Sequence, residues 1–145
     1  MSRSASEIKE YQKKWYQENK ERIRVKYYES QKDYRRTVEG FIHIRLSKTK
    51  HRSIKANIEY NLIFKYMLDL WNRQEGLCAL TGIPMTIKVG EGRKHTAASI
   101  DKIEPEKGYV MGNVKFICQA VNMMRQDFTD QELRDWCKLI LKGNM

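Results

Sequence analysis

The apolar positions of the C-terminal half include two short runs that are typical of strands. The first covers residues 98–103 and ends before Pro105, and the second covers residues 114–117. Two glycines in the intervening segment favour a loop, and a helical pattern begins near Gln119. The pattern therefore predicts a strand–loop–strand–helix unit.

Helical periodicity predicts an amphipathic helix before this unit. Asn61 is a suitable N-cap for a helix over residues 62–74, and Gly76 stops it. Apolar residues recur there at spacings of three and four, so one face should be buried: Ile63, Phe64, Met67, Leu68 and Trp71. The next segment, 86–96, contains two glycines and predicts a hairpin or a loop leading into the first strand.

A second amphipathic helix is predicted at the C-terminal end. Thr129 and Glu132 have the spacing of a capping box, and Gly143 lies just beyond the last apolar residue. The helix carries an apolar face that we expect to close the core: Leu133, Trp136, Cys137, Ile140 and Leu141.

The N-terminal segment predicts a helical arm. Residues 1–39 lack Gly and Pro, which favours one long helix, or two in line, from about residue 6 to 38, with Gly40 ending the arm. Lys14-Trp15-Tyr16 is echoed twelve residues later by Lys26-Tyr27-Tyr28. Twelve residues rotate a helix about 120° beyond three turns, so the aromatic pairs lie on different faces. This suits an arm that winds past a partner; the alternative is a solvated helix whose rings cover part of the body.

Residues 41–60 predict a basic connecting segment. Its centre, 46–55, is a dense basic loop that could lie along a phosphate backbone. His43 and His51 lie in this segment; a surface or capping histidine is the ordinary interpretation of each, and His51 is the better candidate for a catalytic or ligand role.

Charge points to a polyanionic partner. The 145-residue chain has a formal net charge of +10, and residues 1–60 hold 16 Lys and Arg against 8 Asp and Glu. DNA is favoured over a membrane surface because no run near 20 apolar residues occurs. The candidate DNA-binding residues are Lys13, Lys14, Arg22, Arg24, Arg35, Arg36, Lys48, Lys50, His51, Arg52 and Lys55.

The compartment follows from the N-terminus and the cysteines. The first ten residues have no hydrophobic region of signal-peptide type, so the expected location is the cytoplasm, that of the host cell if a phage encodes the chain. Three cysteines are an odd number in a reducing compartment, so no disulfide framework is expected.

Five residues of the strand–loop–strand–helix unit carry a family resemblance. Asp101, Ile103 and Pro105 are followed by Asn113 and, nine residues later, Asn122. This pattern resembles the HNH (ββα-metal, His-Me finger) nucleases, whose usual motif is D-H-I-x-P, a Gly-rich loop, N-[LV] and an Asn nine residues on. The stretches S-I-D-K-I-E, K-G-Y and G-N-V are similar to a phage branch of that family.

The resemblance implies a fold and a metal site. The fold would be α+β: a ββα-metal finger core packed with flanking helices and preceded by the basic helical arm. Asp101 and Asn122 would hold Mg²⁺ or Mn²⁺, which prefer oxygen ligands, and Asn113 would pin the loop to the finger. The structural alternative is that Asp101 ends a strand through a turn bond and that Asn122 caps a loop.

The general base stays open, because Lys102 stands where the family has its histidine. Lys102 would have to lose its proton first, and as a cation it could instead hold the phosphate. Glu104 has an odd strand offset from Asp101 and returns to its face only through the turn at Pro105. His95 shares the face of Asp101, but six residues of strand would separate them by about 20 Å.

Many HNH proteins carry two Cys pairs that bind a structural zinc. Here the second cysteine of each pair is replaced, by Thr81 and by Val121, and only Cys78 and Cys118 remain. Two thiolates cannot close a tetrahedral site alone, so we expect no structural zinc and two cysteines packed as small hydrophobes.

The resemblance implies a metal-dependent DNA endonuclease of phage HNH type that hydrolyses phosphodiester bonds, and the basic charge of the chain agrees with DNA as its substrate. Its parts would be an arm over residues 1–40, a basic connecting segment over 41–60 and a nuclease domain over 61–145. Two alternatives stay open. One is a DNA-binding module that keeps the fold without hydrolysis; the other is a DNA-bound accessory subunit of phage packaging or replication, with other phage proteins as partners.

Overall fold

The computed structural model describes residues 4–87, 92 and 94–143. Over these residues the chain mixes helices with one two-stranded antiparallel sheet, so its class is α+β. The elements, in chain order, are α1 (Ala5–Tyr34), α2 (Val38–Ala56), α3 (Phe64–Arg73), β1 (Ala98–Lys102), β2 (Val114–Cys118), α4 (Gln119–Arg125) and α5 (Asp130–Lys142). The chain divides into two compact units, residues 1–34 and 35–145.

Helix α1 is a 30-residue helix within the first unit, and it has no buried residue. Some neighbouring side chains on its surface contact each other: Arg24 pairs with Glu21, and the Tyr27 and Tyr28 rings meet edge to face. The prediction of one long helix is confirmed, but the helix ends at Tyr34 and not near residue 38. None of the described helices is both long enough and apolar enough to cross a membrane.

Helix α2 corrects two predictions, because residues 46–55 are helical and Gly40 does not end a helix. Thr37 caps α2 by accepting a hydrogen bond from the amide of Gly40, which lies in the first turn. Side chains at helical spacing then face the core: Phe41, Ile42, Leu46, Thr49 and Ser53 are all buried. The lysines and arginines between them therefore belong to a helix and not to the basic loop that the sequence predicted over residues 46–55. The segment 41–60 is therefore largely part of the folded body and not a connector.

Helix α3 was predicted correctly in position but not in its cap. It begins at Phe64 with no side-chain cap, whereas the Asn61 side chain accepts a hydrogen bond from the distant amide of Met111 at 2.7 Å. Asn61 thus joins the chain before α3 to the loop between the strands. Met67 and Trp71 are buried as expected, but Ile63 is exposed.

The chain just after α3 forms hydrogen bonds with the free edge of β2. The Gln74 side chain accepts a hydrogen bond from the amide of Phe116 and donates one to its carbonyl, both at 2.9 Å. The Ala79 amide donates to that carbonyl as well. These bonds satisfy the edge of β2 that does not face β1, where unpaired backbone groups would otherwise be left. Phe116 then packs between Phe41 and Trp71, with ring centroids 6.2 and 5.2 Å away.

The strand–loop–strand–helix unit has the predicted order. Strands β1 and β2 pair antiparallel with Ile100 opposite Phe116, and α4 follows β2 directly. Both strands are buried along nearly their whole length. The hairpin or loop predicted over residues 86–96 falls in part on residues 88–91 and 93, which lie outside the described residues; Thr86 forms a bridge with Ala97.

A buried group of charges joins this unit to α5. The Arg125 guanidinium, only 1% exposed, bonds to the Asp101 carboxylate at 2.8 Å, to the Asp130 carboxylate at 3.0 Å and to the carbonyl of Ile103 at 2.9 Å. Lys115 on β2 forms a second ion pair with Asp130. Two carboxylates thus meet two cations, which compensates most of the cost of burying charge.

The two carboxylates respond differently to this environment. Burial raises the pKa of Asp101 above its ordinary value, although the positive charges of Arg125 and Lys115 oppose the shift. Burial would also raise the pKa of Asp130, but hydrogen bonds and charge from Lys115 and Arg125 outweigh it and hold that pKa below its ordinary value. Asp130 is therefore the carboxylate whose ionised form stabilises the fold.

Helix α5 has the predicted capping box of Thr129 and Glu132 but does not close the core. Leu133 is its one buried residue. Trp136, Ile140 and Leu141 were expected to be buried and are exposed. This prediction was wrong because amphipathic spacing shows that a helix has an apolar face, but not which surface covers it.

We expect Asp130 to make stability depend on pH. Its pKa in the folded chain lies below the ordinary value of 3.8, so its contribution is present above about pH 4 and is lost as the pH falls through the folded pKa. Asp130→Asn should therefore be less stable than the wild type at pH 7, and the difference should shrink below pH 4. Chemical denaturation from pH 7 to pH 3 measures this; Asp69→Asn, which removes an exposed carboxylate of α3, is the control. A difference that stays constant with pH contradicts the assignment.

Removing the Arg125 charge should cost much more. Arg125→Met leaves the buried Asp101 carboxylate without its partner, and we expect a loss of about 3–5 kcal/mol in the free energy of unfolding. Arg134→Met, at an exposed position on α5, should cost less than about 1 kcal/mol. Similar losses in the two variants would show that the buried pair does not hold the fold.

Candidate functional site

A cleft of about 570 Å³ lies between α2 and the strand–loop–strand–helix unit. Helix α2 forms one wall, and β1 and α4 form the other. The lining side chains are Arg45, Ser47, Lys48, Thr49, His51, Arg52, Ser99, Ile100, Gln119 and Asn122. We call this space the α2 cleft.

The α2 cleft is positively charged. Three of its lining residues are Arg or Lys, and none is Asp or Glu. Burial lowers the pKa of Arg45 below its ordinary value, and the positive charge of nearby Arg52 lowers it further. Placing like charges close together is unfavourable unless an anion comes between them. The cleft is therefore suited to bind an anion such as a phosphate group.

Helix α4 lies along β1 and brings Asn122 to the cleft. The Asn122 side-chain nitrogen donates to the Ser99 hydroxyl at 2.7 Å, and Arg125, one turn later, pairs with Asp101. Ser99 and Asp101 are two residues apart on one face of β1, about 7 Å along the strand. Because its nitrogen is used by Ser99, the Asn122 amide oxygen is the atom that can bind a cation.

Asp101 is less available than Asn122. Its Oδ2 atom is paired with Arg125, its side chain is buried, and it does not line the cleft. The described residues contain no cluster of three or more His, Cys, Asp or Glu arranged to hold a metal. The donor set that remains is one amide oxygen and one partly engaged carboxylate. Two protein oxygens are too few to enclose a cation, so a Mg²⁺-like ion held by them would keep most of its water ligands.

Asn113 holds the loop between the strands. Its side-chain oxygen accepts from the amide of Glu104 at 2.9 Å, and its nitrogen donates to the carbonyls of Glu104 and Gly108. Gly108 lies so close to Glu59 that a Cβ atom there would be 2.3 Å from the Glu59 carbonyl oxygen. Only glycine fits this approach, which joins the loop to the chain preceding α3.

The three candidate bases lie outside the cleft lining. Lys102 donates to the Pro105 carbonyl across the turn, and its ammonium lies 5.7 Å from the centre of the Tyr109 ring. Glu104 is paired with Lys107 at 2.6 Å on the surface. Each side chain is therefore engaged in the turn after β1.

His95 is not on a strand, which corrects the distance argument made from the sequence. It lies in a turn before β1, and its carbonyl accepts a hydrogen bond from the amide of Ala120 in the first turn of α4. The assumed straight strand of six residues therefore does not separate it from the site. Its side chain is exposed.

His51 lines the α2 cleft together with Asn122. The sequence favours His51 over His43 for a catalytic or ligand role because basic loops lie near scissile phosphates, but the structure shows that residues 46–55 are helical. On a helix, Lys48, His51 and Arg52 are spaced i, i+3 and i+4 and share one face. That spacing was the available signal for a cationic helix face.

The remaining candidate DNA-binding residues are distributed over both units. Helix α1 carries Lys13, Lys14, Arg22 and Arg24 on its exposed surface. Arg35 and Arg36 follow it in a turn. Lys50 and Lys55 are exposed on α2 but do not line the cleft, whereas Lys48, His51 and Arg52 do.

Cys78 and Cys118 are buried next to each other. The Cys118 amide donates a hydrogen bond to the Cys78 sulfur at 3.3 Å, so the two side chains are adjacent in the core. Burial raises the pKa of Cys118 to about 11, and the neighbouring Cys78 adds to this shift. Burial would raise the pKa of Cys78 too, but hydrogen bonds from the Thr81 side chain and from nearby backbone amides lower it. Cys78 is therefore a hydrogen-bond acceptor as well as a packed side chain.

Comparisons with known proteins give one distant phage relative. Over 89 residues the chain is 29% identical to an uncharacterized 29.0 kDa protein in the dda-modA intergenic region of Enterobacteria phage T4. The match covers 61% of this chain and 34% of the phage protein, so the chain spans about a third of that relative's length. No protein-family model and no solved structure matches the chain.

Proposed function

We propose that this chain is a metal-dependent DNA endonuclease of the phage HNH type, which hydrolyses a phosphodiester bond in the α2 cleft. The observation that carries the proposal is the position of Asn122, the last residue of the HNH-like motif, in the wall of a cleft lined by cations. Strands β1 and β2 with α4 would be its ββα-metal finger. The distant phage relative is compatible with a phage origin, and the reaction would then occur in the host cytoplasm.

The roles of the cleft residues follow from their charge and position. Arg45, Lys48 and Arg52 would bind the backbone phosphates of the DNA and hold the scissile group against the wall formed by α4. The side-chain oxygens of Asn122 and Asp101 would hold a divalent cation, Mg²⁺ or Mn²⁺. When bound, such a cation stabilises the negative charge that develops on the phosphate and on the leaving oxygen.

His51 is our candidate for the general base. Unlike Lys102 and Glu104, it lines the cleft, and an imidazole nitrogen can accept a proton from an attacking water. In this assignment His51 transfers the proton only, and it neither binds the DNA nor orients the attacking water. Lys102, on β1, stands where the motif has its histidine. His51, on α2, would take over the function of that histidine.

A second function is favoured by the ion pair between Asp101 and Arg125. A carboxylate that already has a guanidinium partner is a poor ligand for a cation, because the cation must compete with Arg125. A chain in which Arg125 keeps this place would bind DNA without cleaving it, alone or as an accessory subunit of phage packaging or replication. The α2 cleft would bind DNA in a nuclease and in a non-catalytic protein alike. A measurement of DNA cleavage therefore distinguishes the two functions.

Plasmid nicking tests the proposed activity. We expect cleavage with Mg²⁺ or Mn²⁺ and none with EDTA. His51→Ala should lower the rate by about 10²–10⁴-fold, the usual contribution of a general base. Asn122→Ala should lower it at least tenfold and raise the metal concentration needed for half-maximal rate.

His43→Ala is the matched control for the histidine. His43 also lies on α2 but stacks on Phe64, with ring centroids 4.2 Å apart, and does not line the cleft. Its removal should leave the nicking rate unchanged. Cleavage that survives both His51→Ala and Asn122→Ala would locate the chemistry elsewhere. Tight DNA binding with no cleavage in any metal would favour the non-catalytic function.

Salt dependence tests the DNA-binding role of the α2 cleft. Each neutralised phosphate contributes about 0.9 to the slope of log affinity against log salt concentration, so Lys48→Ala with Arg52→Ala should reduce that slope by about 1.8. Gel shifts at several salt concentrations measure it. The control removes two exposed cations from α3, Lys65→Ala with Arg73→Ala, and should leave the slope nearly unchanged. Equal effects of the two double variants would show that binding is not localised in the cleft.

A further inference from the structure

Two cations lie over the ring of Tyr109, next to the α2 cleft. The Arg52 guanidinium belongs to a side chain that lines the cleft and lies 5.9 Å from the centre of this ring, and the Lys102 ammonium lies 5.7 Å from it. Both distances are within the range over which the electron-rich face of an aromatic ring attracts a cation. One side chain from α2 and one from the end of β1 thus meet at a single aromatic residue.

The backbone of Tyr109 fixes the position of the ring. Its amide donates a hydrogen bond to the carbonyl of Glu59 at 2.9 Å, and its carbonyl accepts one from the amide of Asn61 at 3.2 Å. These two bonds join the loop between the strands to the segment between α2 and α3. The ring is therefore anchored on the chain that directly follows the helix carrying Arg52.

The contacts of the two cations do not neutralise their charges. Arg52 donates to the Thr49 hydroxyl at 3.4 Å and Lys102 donates to the Pro105 carbonyl, and both acceptors are uncharged. Among the described residues, no carboxylate forms an ion pair with either side chain. A guanidinium has five N–H donors and an ammonium has three, so donors remain for a ligand.

The two charges are close enough to bind phosphates of one DNA strand. Because both lie near the same ring centre, at most about 12 Å separates them, which is roughly three nucleotide steps of about 3.4 Å along the helix axis. A cation that neutralises a backbone phosphate adds affinity by releasing counterions from the DNA. Lys102 can therefore add a phosphate contact to those made in the cleft.

We propose that Arg52, Tyr109 and Lys102 form a phosphate-binding subsite that extends the α2 cleft toward the turn after β1. Arg52 binds a backbone phosphate at the cleft, and Lys102 binds a further phosphate of the same strand. Tyr109 is a positioning residue that orients both cations. Lys102 is then a DNA-binding residue and not the general base. This inference rests on the DNA-binding part of the proposed function.

Salt dependence of DNA binding by the full chain tests the contribution of Lys102. Lys102→Gln removes the charge but keeps a donor for the Pro105 carbonyl, so it should reduce the slope of log affinity against log salt concentration by about 0.9. Lys102→Arg keeps the charge and should keep the wild-type slope. Lys65→Ala removes an exposed cation of α3 and is the control, with a nearly unchanged slope. Fluorescence anisotropy of a labelled DNA duplex measures each slope.

The role of the Tyr109 ring is tested separately. Tyr109→Phe keeps the ring and should leave the affinity for the duplex nearly unchanged. Tyr109→Leu removes the ring from both cations without changing the charge, and should weaken binding by about threefold or more. Tyr109 is half-buried, so thermal unfolding is measured for both variants. If the leucine variant is destabilised, the Lys102 variants decide the proposal.

Plasmid nicking separates phosphate binding from proton transfer. Lys102→Gln should raise the DNA concentration needed for the half-maximal rate and leave the rate at saturating DNA within about twofold, because a residue that only binds the strand is not needed once the strand is bound. A lower rate at saturation with a wild-type salt slope would make Lys102 a catalytic residue and would overturn the subsite.

Other outcomes separate the subsite from the proposed function. A slope that Lys102→Gln leaves unchanged, while Lys48→Ala with Arg52→Ala lowers it, limits binding to the α2 cleft and overturns the subsite alone. A wild-type chain without salt-dependent DNA binding overturns the subsite and the proposed function together. Binding that depends on Lys102, without cleavage in any metal, supports the subsite in a non-catalytic protein.

Discussion

The structure depends on the buried guanidinium of Arg125. This one side chain compensates the Asp101 carboxylate of β1 and the Asp130 carboxylate of α5, and it also bonds to the carbonyl of Ile103 just beyond β1. Because it can reach all three only when α4 lies along β1, the position of α4 is set by electrostatics as well as by packing. Asn122, one turn before Arg125, is then held against Ser99 at the edge of the cleft. The ion pair between Arg125 and Asp101 therefore sets the geometry of the candidate site, although neither residue lines the cleft.

The same pair creates a conflict over Asp101. The Asp101 carboxylate can either neutralise the charge of Arg125 or help to bind a divalent cation. A buried carboxylate that already has a guanidinium partner binds a second positive charge only weakly unless that partner moves away. Burial already raises the pKa of Asp101 despite two nearby cations, which shows how strongly desolvation opposes its charge. Binding of DNA would change this balance, because a phosphate in the cleft adds negative charge next to Asn122. In a nuclease the substrate would thus help to recruit its own cation, and without such recruitment the chain would only bind.

The elements that the sequence predicted best are those whose signals are local. Pro105 ends β1, the loop glycines precede β2, and the run from Gln119 begins a helix; each signal acts within a few residues, and the unit was correctly predicted. The capping box at Thr129 was correct for the same reason. Asn61 is a residue for which such local signals gave the wrong prediction. Its side chain is an equally good local cap, but it bonds instead to Met111, fifty residues away, and no local rule contains that partner.

The cleft could not be predicted because it is made by α2, and α2 was interpreted as a loop. The many lysines and arginines of residues 46–55 favoured a loop in that interpretation. The apolar residues Phe41, Ile42 and Leu46 nevertheless have the spacing of a helix. Once the segment is a helix, the same cations become an ordered face opposite Asn122. In the proposed nuclease, the general base would have to come from an element that is distant in sequence, because Lys102 and Glu104 are engaged in the turn after β1. His51 lines the cleft only through the tertiary packing of α2, so the motif around Asp101 contains no signal for it.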